Sequence, residues 1–284
     1  MMLPRRRPRR NSRTARCNYS IYDPIPFGID ENGQIVAVTL MYRNLLAGGE
    51  PGSGKSSLLN TIIGHAVLCD DAKLWLFDGK QVELGLWEDV ADVFVGNNMH
   101  DALTRLRDLQ GEMDDRYRRL HAVRRRKIVQ ADGLDVILCV VDELAFFSVT
   151  TGTPGEQEEF KTLVRDLVAR GRAAGIIVVA ATQRPSADII PTSLRDLFGF
   201  RVAFRCTTDS SSDIILAVGW AKEGYSARSI RPEDIGIGWI LAEGGIPRRF
   251  KAYLIDDHQI EAIVATALRR RGGRRPRRGT NPAA

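Results

Sequence analysis

The run Gly49–Ser56, GEPGSGKS, constrains this chain more than any other feature. It satisfies the spacing G-x-x-x-x-G-K-[ST] at every position. Gly49, Gly52 and Gly54 let the backbone curl so that successive N–H groups converge on phosphate oxygens. Such a loop works between a strand that delivers it and a helix whose positive end faces the same oxygens. Asn44–Ala47 reads as that strand. Ser57–Leu68 reads as that helix, with Leu58, Leu59, Ile62, Ile63 and Val67 at helical spacing. The predicted nucleotide-binding set is Gly49, Glu50, Pro51, Gly52, Ser53, Gly54, Lys55, Ser56 and Ser57. Lys55 is expected to reach the β- and γ-phosphates, and Ser56 to ligate Mg²⁺. The implied cofactors are ATP and Mg²⁺.

The remaining pattern alternates apolar strands with helices. Lys73–Phe77, Val136–Val141, Gly175–Ala181 and Arg201–Arg205 read as strands, with Trp239–Leu241 and Phe250–Ile255 as edge strands. His100–Val129 reads as one long charged helix, carrying Leu103, Leu106, Leu109, Met113, Tyr117 and Leu120 on its apolar face. Glu156–Arg172 and Asp257–Arg271 read as two more. Strands that are apolar without alternation belong to parallel sheets covered on both faces, and alternation with helices makes the class α/β. The expected architecture is a RecA-like P-loop NTPase domain, a mostly parallel sheet flanked by helices. Its expected span is residues 19–268, between basic disordered arms at 1–18 and 269–284.

Three further segments complete the expected site. The strand VILCVVDE delivers Asp142 to its carboxyl end, to hold Mg²⁺ through water, and Glu143 to orient and deprotonate the attacking water. Gln183, just past the apolar run ending at Ala181, is expected to sense the γ-phosphate. Arg172 precedes that strand, and near the sheet's edge it would enter a neighbouring subunit's site and neutralise transition-state charge. Arg170 and Arg201 compete for that role, and capping of a helix C-terminus competes with the role itself.

Charge and composition narrow the class. The net charge of +6 is concentrated in Arg5–Arg10 and Arg269–Arg278. These runs are either solubilising tails or a grip on phosphates. No apolar run approaches the roughly 18 residues of a membrane span, and no apolar stretch follows the N-terminal arginines, so the expected location is cytoplasmic. Cys17, Cys69, Cys139 and Cys206 form no CxxC pair, and His65, His100, His121 and His258 are scattered, so neither a disulfide framework nor a zinc site is expected.

Taken together, these motifs resemble the motor domain of the FtsK/SpoIIIE family of DNA translocases. NLLAGGEPGSGKS (Asn44–Ser56) is similar to its phosphate-loop segment. LWLFDGKQVEL (Leu74–Leu84) is similar to the strand that follows, with Asp78, Lys80 and Glu83 at characteristic positions. MDDRYRRL (Met113–Leu120), VVDELA (Val140–Ala145), ARGRAAGIIVVAATQRPSADII (Ala169–Ile190) and RVAFRCTTDSSSDIIL (Arg201–Leu216) extend the match over about residues 44 to 265. The resemblance implies an ATP-driven hexameric ring around double-stranded DNA, with Arg172 acting in trans. The chain departs from the family at Ser211-Ser212-Asp213, where members often carry Asp-Ser-Arg. It also shows no membrane-spanning segment before the motor and no winged-helix segment after it. A short arginine-rich member resembles the transfer proteins of actinobacterial conjugative plasmids and integrative elements, with membrane-associated transfer partners. Chromosome or plasmid segregation, type VII-like protein secretion and a nucleotide-dependent switch are the competing roles.

Overall fold

Six strands run parallel, and the central three are apolar on both faces and must be covered twice. The computed structural model describes residues 19–272. Its strands are β1 (Ile25–Ile29), β2 (Ile35–Val38), β3 (Leu45–Gly48), β4 (Ala72–Phe77), β5 (Val93–Val95), β6 (Val136–Val141), β7 (Ile176–Thr182), β8 (Phe200–Phe204), β9 (Ile237–Ala242) and β10 (Arg248–Ala252). They form one sheet in the order β2-β1-β10-β9-β8-β3-β7-β6-β4-β5. From β8 to β5 the pairing is parallel, and from β8 out to β2 it is antiparallel. Every residue of β3, β6 and β7 is buried.

Side chains alternate across these strands, so two cores form. Leu45, Leu74, Leu138, Val140, Val179 and Val202 face a core that includes Leu58, Leu59, Ile62 and Ile63 of α1 (Lys55–Leu68). Leu46, Ile137, Cys139, Val141 and Val178 face the other. Leu103, Leu106, Leu109 and Met113 of α2 (Met99–Ala122) and Phe160, Leu163 and Leu167 of α3 (Pro154–Arg170) cover that side. The short helices α4 (Thr192–Arg195) and α5 (Asp209–Leu216) flank β8, and α6 (Asp257–Arg270) packs on α1. The α/β class with a mostly parallel, helix-covered sheet is thus present. Among the described residues no helix is long and apolar enough to cross a membrane.

The structure corrects four expected boundaries. β9 and β10 are interior strands, because the hairpin β1–β2 adds antiparallel beyond β10. The helix expected to reach Val129 stops at Ala122. Arg124 takes a left-handed φ of 53°, its N–H bonds to His121 O, and the Arg125 N–H reaches back to Leu120 O. That pair of bonds is a Schellman terminus. It turns the chain so that Ile128 can bury beside Gly175, where a Cβ would lie 2.2 Å from Ile128 Cδ1. α3 likewise ends at Arg170, and Gly171–Ala174 forms a 3₁₀ turn. At the C-terminus, Arg269 and Arg270 belong to the last turn of α6, and Arg271 donates to Val90 O at 2.8 Å, so the basic tail starts later than expected. The arms around Arg5–Arg10 and Arg274–Arg278 lie outside the described residues.

Candidate nucleotide site

Site residues gather at the carboxyl ends of β3, β4, β6 and β7. The loop after β3 is shaped by glycine. Gly49, Gly52 and Gly54 have φ of 152°, 72° and 114°. A Cβ on Gly54 would sit 2.6 Å from the Gly236 Cα, so this turn admits no side chain. Gly54 hands the chain to α1, whose first residue is Lys55. Lys55 is buried, and its Nζ donates to Gly49 O at 2.6 Å and Glu50 O at 2.7 Å, curling back over the loop. Burial pushes this lysine down to about 8, against the attraction of Glu143 and Asp142. The Glu50 carboxylate faces away from the cradle. It pairs with Arg205 at 2.5 Å and accepts the Thr207 hydroxyl at 2.7 Å, tying the loop to the end of β8. Pro51 and Gly52 form its exposed crest, Ser53 Oγ closes it onto Glu50 O at 2.6 Å, and Ser57 lies half-buried in the first turn of α1.

Four carboxylates converge here, each in a different environment. Asp142 directly follows β6, with Oδ2 buried and without a hydrogen-bond partner. Burial, then the charges of Glu83 and Asp78, raise it to about 7. Glu143 is clamped: Oε1 accepts from Thr182 Oγ1 at 2.7 Å and Ala145 N at 3.2 Å, and Oε2 from Gln183 N at 2.9 Å. Lys80 Nζ stands 3.7 Å from the same Oε2. Asp78 turns inward on its own loop, accepting from the N–H groups of Lys80, Gln81 and Leu84. Glu83 accepts the Ser56 hydroxyl at 2.7 Å.

Lys55, Ser56, Asp142, Glu143 and Gln183 are therefore brought together, the last by its backbone N–H. Arg172 is not. It is exposed at the amino end of β7, which lies between β3 and β6 and not at the sheet's edge. The length of β7, seven residues ending at Thr182, separates it from the site, roughly 20 Å. It lines a cleft of about 340 Å³ with Tyr42, Arg43, Arg126, Lys127, Ala173 and Glu243. Its competitors are less available. Arg170 pairs with Asp166 and Asp114, and Arg201 is half-buried, with Nη1 3.7 Å from Asp196 and neither Nε nor Nη1 hydrogen-bonded. The Ser211-Ser212-Asp213 departure is structural. Ser212 Oγ accepts Ala227 N, and the Asp213 carboxylate accepts Gly219 N and Ala221 N, so the segment anchors the following loop.

No motif in the sequence gives a role to Glu83, Lys80 or Thr182. The first two carried a signal, their spacing in the segment after β4. Thr182 carried none, because its contact with Glu143 spans 39 residues.

A glycine loop wrapped on a buried lysine, beside an acidic strand end in a parallel sheet, defines a P-loop ATPase. The chain belongs to the FtsK/SpoIIIE family, whose model matches residues 11–135. It is 30% identical over 275 residues to the DNA translocase FtsK of Corynebacterium efficiens, covering 86% of this chain and 28% of that protein. With the DNA translocase FtsK of Treponema pallidum it shares 34% identity over 210 residues, 68% of this chain and 26% of the relative. The chain thus spans little more than a quarter of these relatives. Among solved structures, the pCW3 conjugation coupling protein TcpA, in a monomer form with ATPγS, superposes with a TM-score of 0.76 at 24% identity, over 88% of this chain and 71% of that one. The cytoplasmic domain of the Thermomonospora curvata type VII secretion ATPase EccC superposes with a TM-score of 0.68 at 20% identity, over 88% and 31%. At these identities the likeness is one of fold.

Proposed function

We propose that this chain hydrolyses ATP to drive double-stranded DNA through a homo-oligomeric, hexameric ring, and that its cellular role is conjugative transfer of plasmid or integrative-element DNA. The observation that carries the hydrolytic part is the clamp on Glu143. Thr182, Gln183 N and Ala145 N hold one carboxylate across β6 and β7, where its charge acts on Lys55. A carboxylate held in place at a phosphate loop is suited to accept a proton from an attacking water. In this reading Lys55, now curled on the loop carbonyls, would turn to the phosphate oxygens, and the Gln183 side chain, whose backbone N–H is held by Glu143, would read the terminal phosphate.

A magnesium ion suits these residues. The buried Asp142 Oδ2 lacks a partner, and the surrounding carboxylates leave the pocket short of positive charge. Among the described residues no three His, Cys, Asp or Glu side chains form a metal cage. A nucleotide-bound magnesium needs no such cage, because it takes one or two protein oxygens and the nucleotide's phosphates. Ser56 and Asp142 would hold it, and it would neutralise phosphate charge.

DNA as cargo rests on the translocase relatives and on the basic arms of the sequence. Trans completion by Arg172 rests on its exposure, on the ion pairs of Arg170 and on the burial of Arg201. Polypeptide export is the second reading, favoured by the fold shared with a secretion ATPase. The deciding experiment measures ATP turnover alone, with duplex DNA and with unfolded polypeptide. Stimulation by duplex DNA of any sequence is expected. Stimulation by polypeptide alone would replace DNA as the cargo, and no turnover under any condition would remove the enzymatic reading.

A further inference from the structure

The segment between β4 and the 3₁₀ turn at Gly85–Val90 is built more rigidly than a connection needs to be. Asp78 is fully buried, and its carboxylate accepts three N–H groups of the segment it begins. Gln81 is held at a left-handed φ of 59°. Gly79 lies so close to Phe146 that a Cβ would stand 2.1 Å from Cδ1 of the ring. Phe146 opens the π-helical turn Phe146–Thr150, three residues past Glu143. The segment is thus wedged against the acidic strand end. From it, Lys80 points at Glu143 and Glu83 takes the hydroxyl proton of Ser56.

The chemistry of that last bond is specific. A serine hydroxyl has one proton and two lone pairs. To ligate a cation it must offer a lone pair, so its proton has to go to an acceptor on the other side. Glu83 is the acceptor that takes it. The other three carboxylates are otherwise placed: Asp78 holds its own loop, Glu143 is clamped to β7, and Asp142 Oδ2 has no hydrogen-bond partner. We infer that Glu83 is a positioning residue, whose hydrogen bond to Ser56 aims the serine lone pairs at the cation bound with the nucleotide. This rests on the nucleotide reading above. Outer acceptors of this kind orient a ligand and tune its basicity, and their loss costs about 10–100-fold in metal affinity.

The test reads binding and not turnover. A fluorescent ATP analogue is titrated onto the full chain in EDTA, then Mg²⁺ is added to measure its apparent affinity for the nucleotide-bound protein. Wild type is expected to bind the analogue more tightly with Mg²⁺. Glu83→Ala is expected to keep its affinity in EDTA and to lose about 10–100-fold in Mg²⁺ affinity. Two closer variants separate orientation from charge and keep the test open if Glu83→Ala does not fold. Glu83→Gln still presents a carbonyl oxygen to the Ser56 hydroxyl and is expected to retain most of the Mg²⁺ affinity. Glu83→Asp keeps the charge, falls short of the hydroxyl and is expected to behave like Glu83→Ala. The inference is overturned if Glu83→Gln falls as far as Glu83→Asp, or if the losses are equal with and without Mg²⁺. It is also overturned if no variant differs from wild type. Failure of wild type to bind the analogue under any condition would instead overturn the nucleotide reading, and this inference with it.

Discussion

The two ends of the parallel sheet carry opposite charge. At the carboxyl end Asp78, Glu83, Asp142 and Glu143 crowd around two lysines, and hydrogen bonds or burial hold most of these groups in place. At the amino end Arg43, Arg126, Lys127 and Arg172 line one cleft in which Glu243 is the one acidic residue. None of these four cations has an ion pair among the described residues. Two rest on aromatic rings: Lys127 Nζ lies 4.1 Å from the Tyr42 ring centroid, and the Arg43 guanidinium 5.1 Å from that of Phe200. The carboxyl end is built to hold geometry, and the amino end is built to keep charge available. Because the two are different surfaces, copies that joined them would associate head to tail, the arrangement that forms a ring when the rotation between copies closes. This is how Arg172, distant from its own chain's phosphate loop, would serve another's.

The largest effect tests whether the two ends meet. Arg172→Ala should lower ATP turnover by about 10³–10⁵, and Lys55→Ala should abolish it with the fold intact. Mixed into one assembly, the two inactive proteins should recover partial turnover, since some interfaces pair an intact Lys55 with an intact Arg172. If mixed assemblies form without recovery, and Arg172→Ala melts at a lower temperature, Arg172 is a helix-end cation and the ends do not meet. Glu143→Gln confines the loss to the carboxyl end. Nucleotide binding should persist while turnover falls by about 10²–10⁴, and failure of binding would make Glu143 a structural group.

A smaller effect measures the crowding of charge at the carboxyl end. Asp142 is raised from 3.8 to about 7, so the folded chain binds more protons than the unfolded one between those values. Its contribution to stability therefore falls as pH rises through that window and is least favourable above about 7. In the absence of nucleotide, Asp142→Asn should be more stable than wild type at pH 8, by at most about 4 kcal/mol in unfolding free energy. The gap should close towards pH 4, and a gap independent of pH would mean that the carboxylate is not strained. The smallest effect concerns DNA. Removing residues 1–13 and 273–284 should flatten the salt dependence of duplex binding by about 0.9 in log–log slope per phosphate released. The double substitution Arg126→Ala and Lys127→Ala should leave that slope unchanged if the amino end faces a neighbour. A flattened slope in that variant would turn the basic cleft towards DNA.

Local chemistry was legible in the chain from the outset. Gly49, Gly52 and Gly54 announce a loop because conformations of positive φ are cheap for glycine alone, and Val136–Val141 announces a doubly covered strand because six apolar residues in a row have no solvent face. The α/β class, the phosphate loop and the acidic strand end followed from such short-range patterns. Only the tertiary structure could show that β9 and β10 are interior, since pairing with β1 joins residues more than 200 positions apart. Only it could place Thr182 on Glu143, Glu83 on Ser56, and Arg172 at the far end of a central strand. Those contacts depend on which strands lie side by side and in what register. That is decided by packing the whole sheet between its helices, a free energy shared among distant residues that no short window of sequence contains.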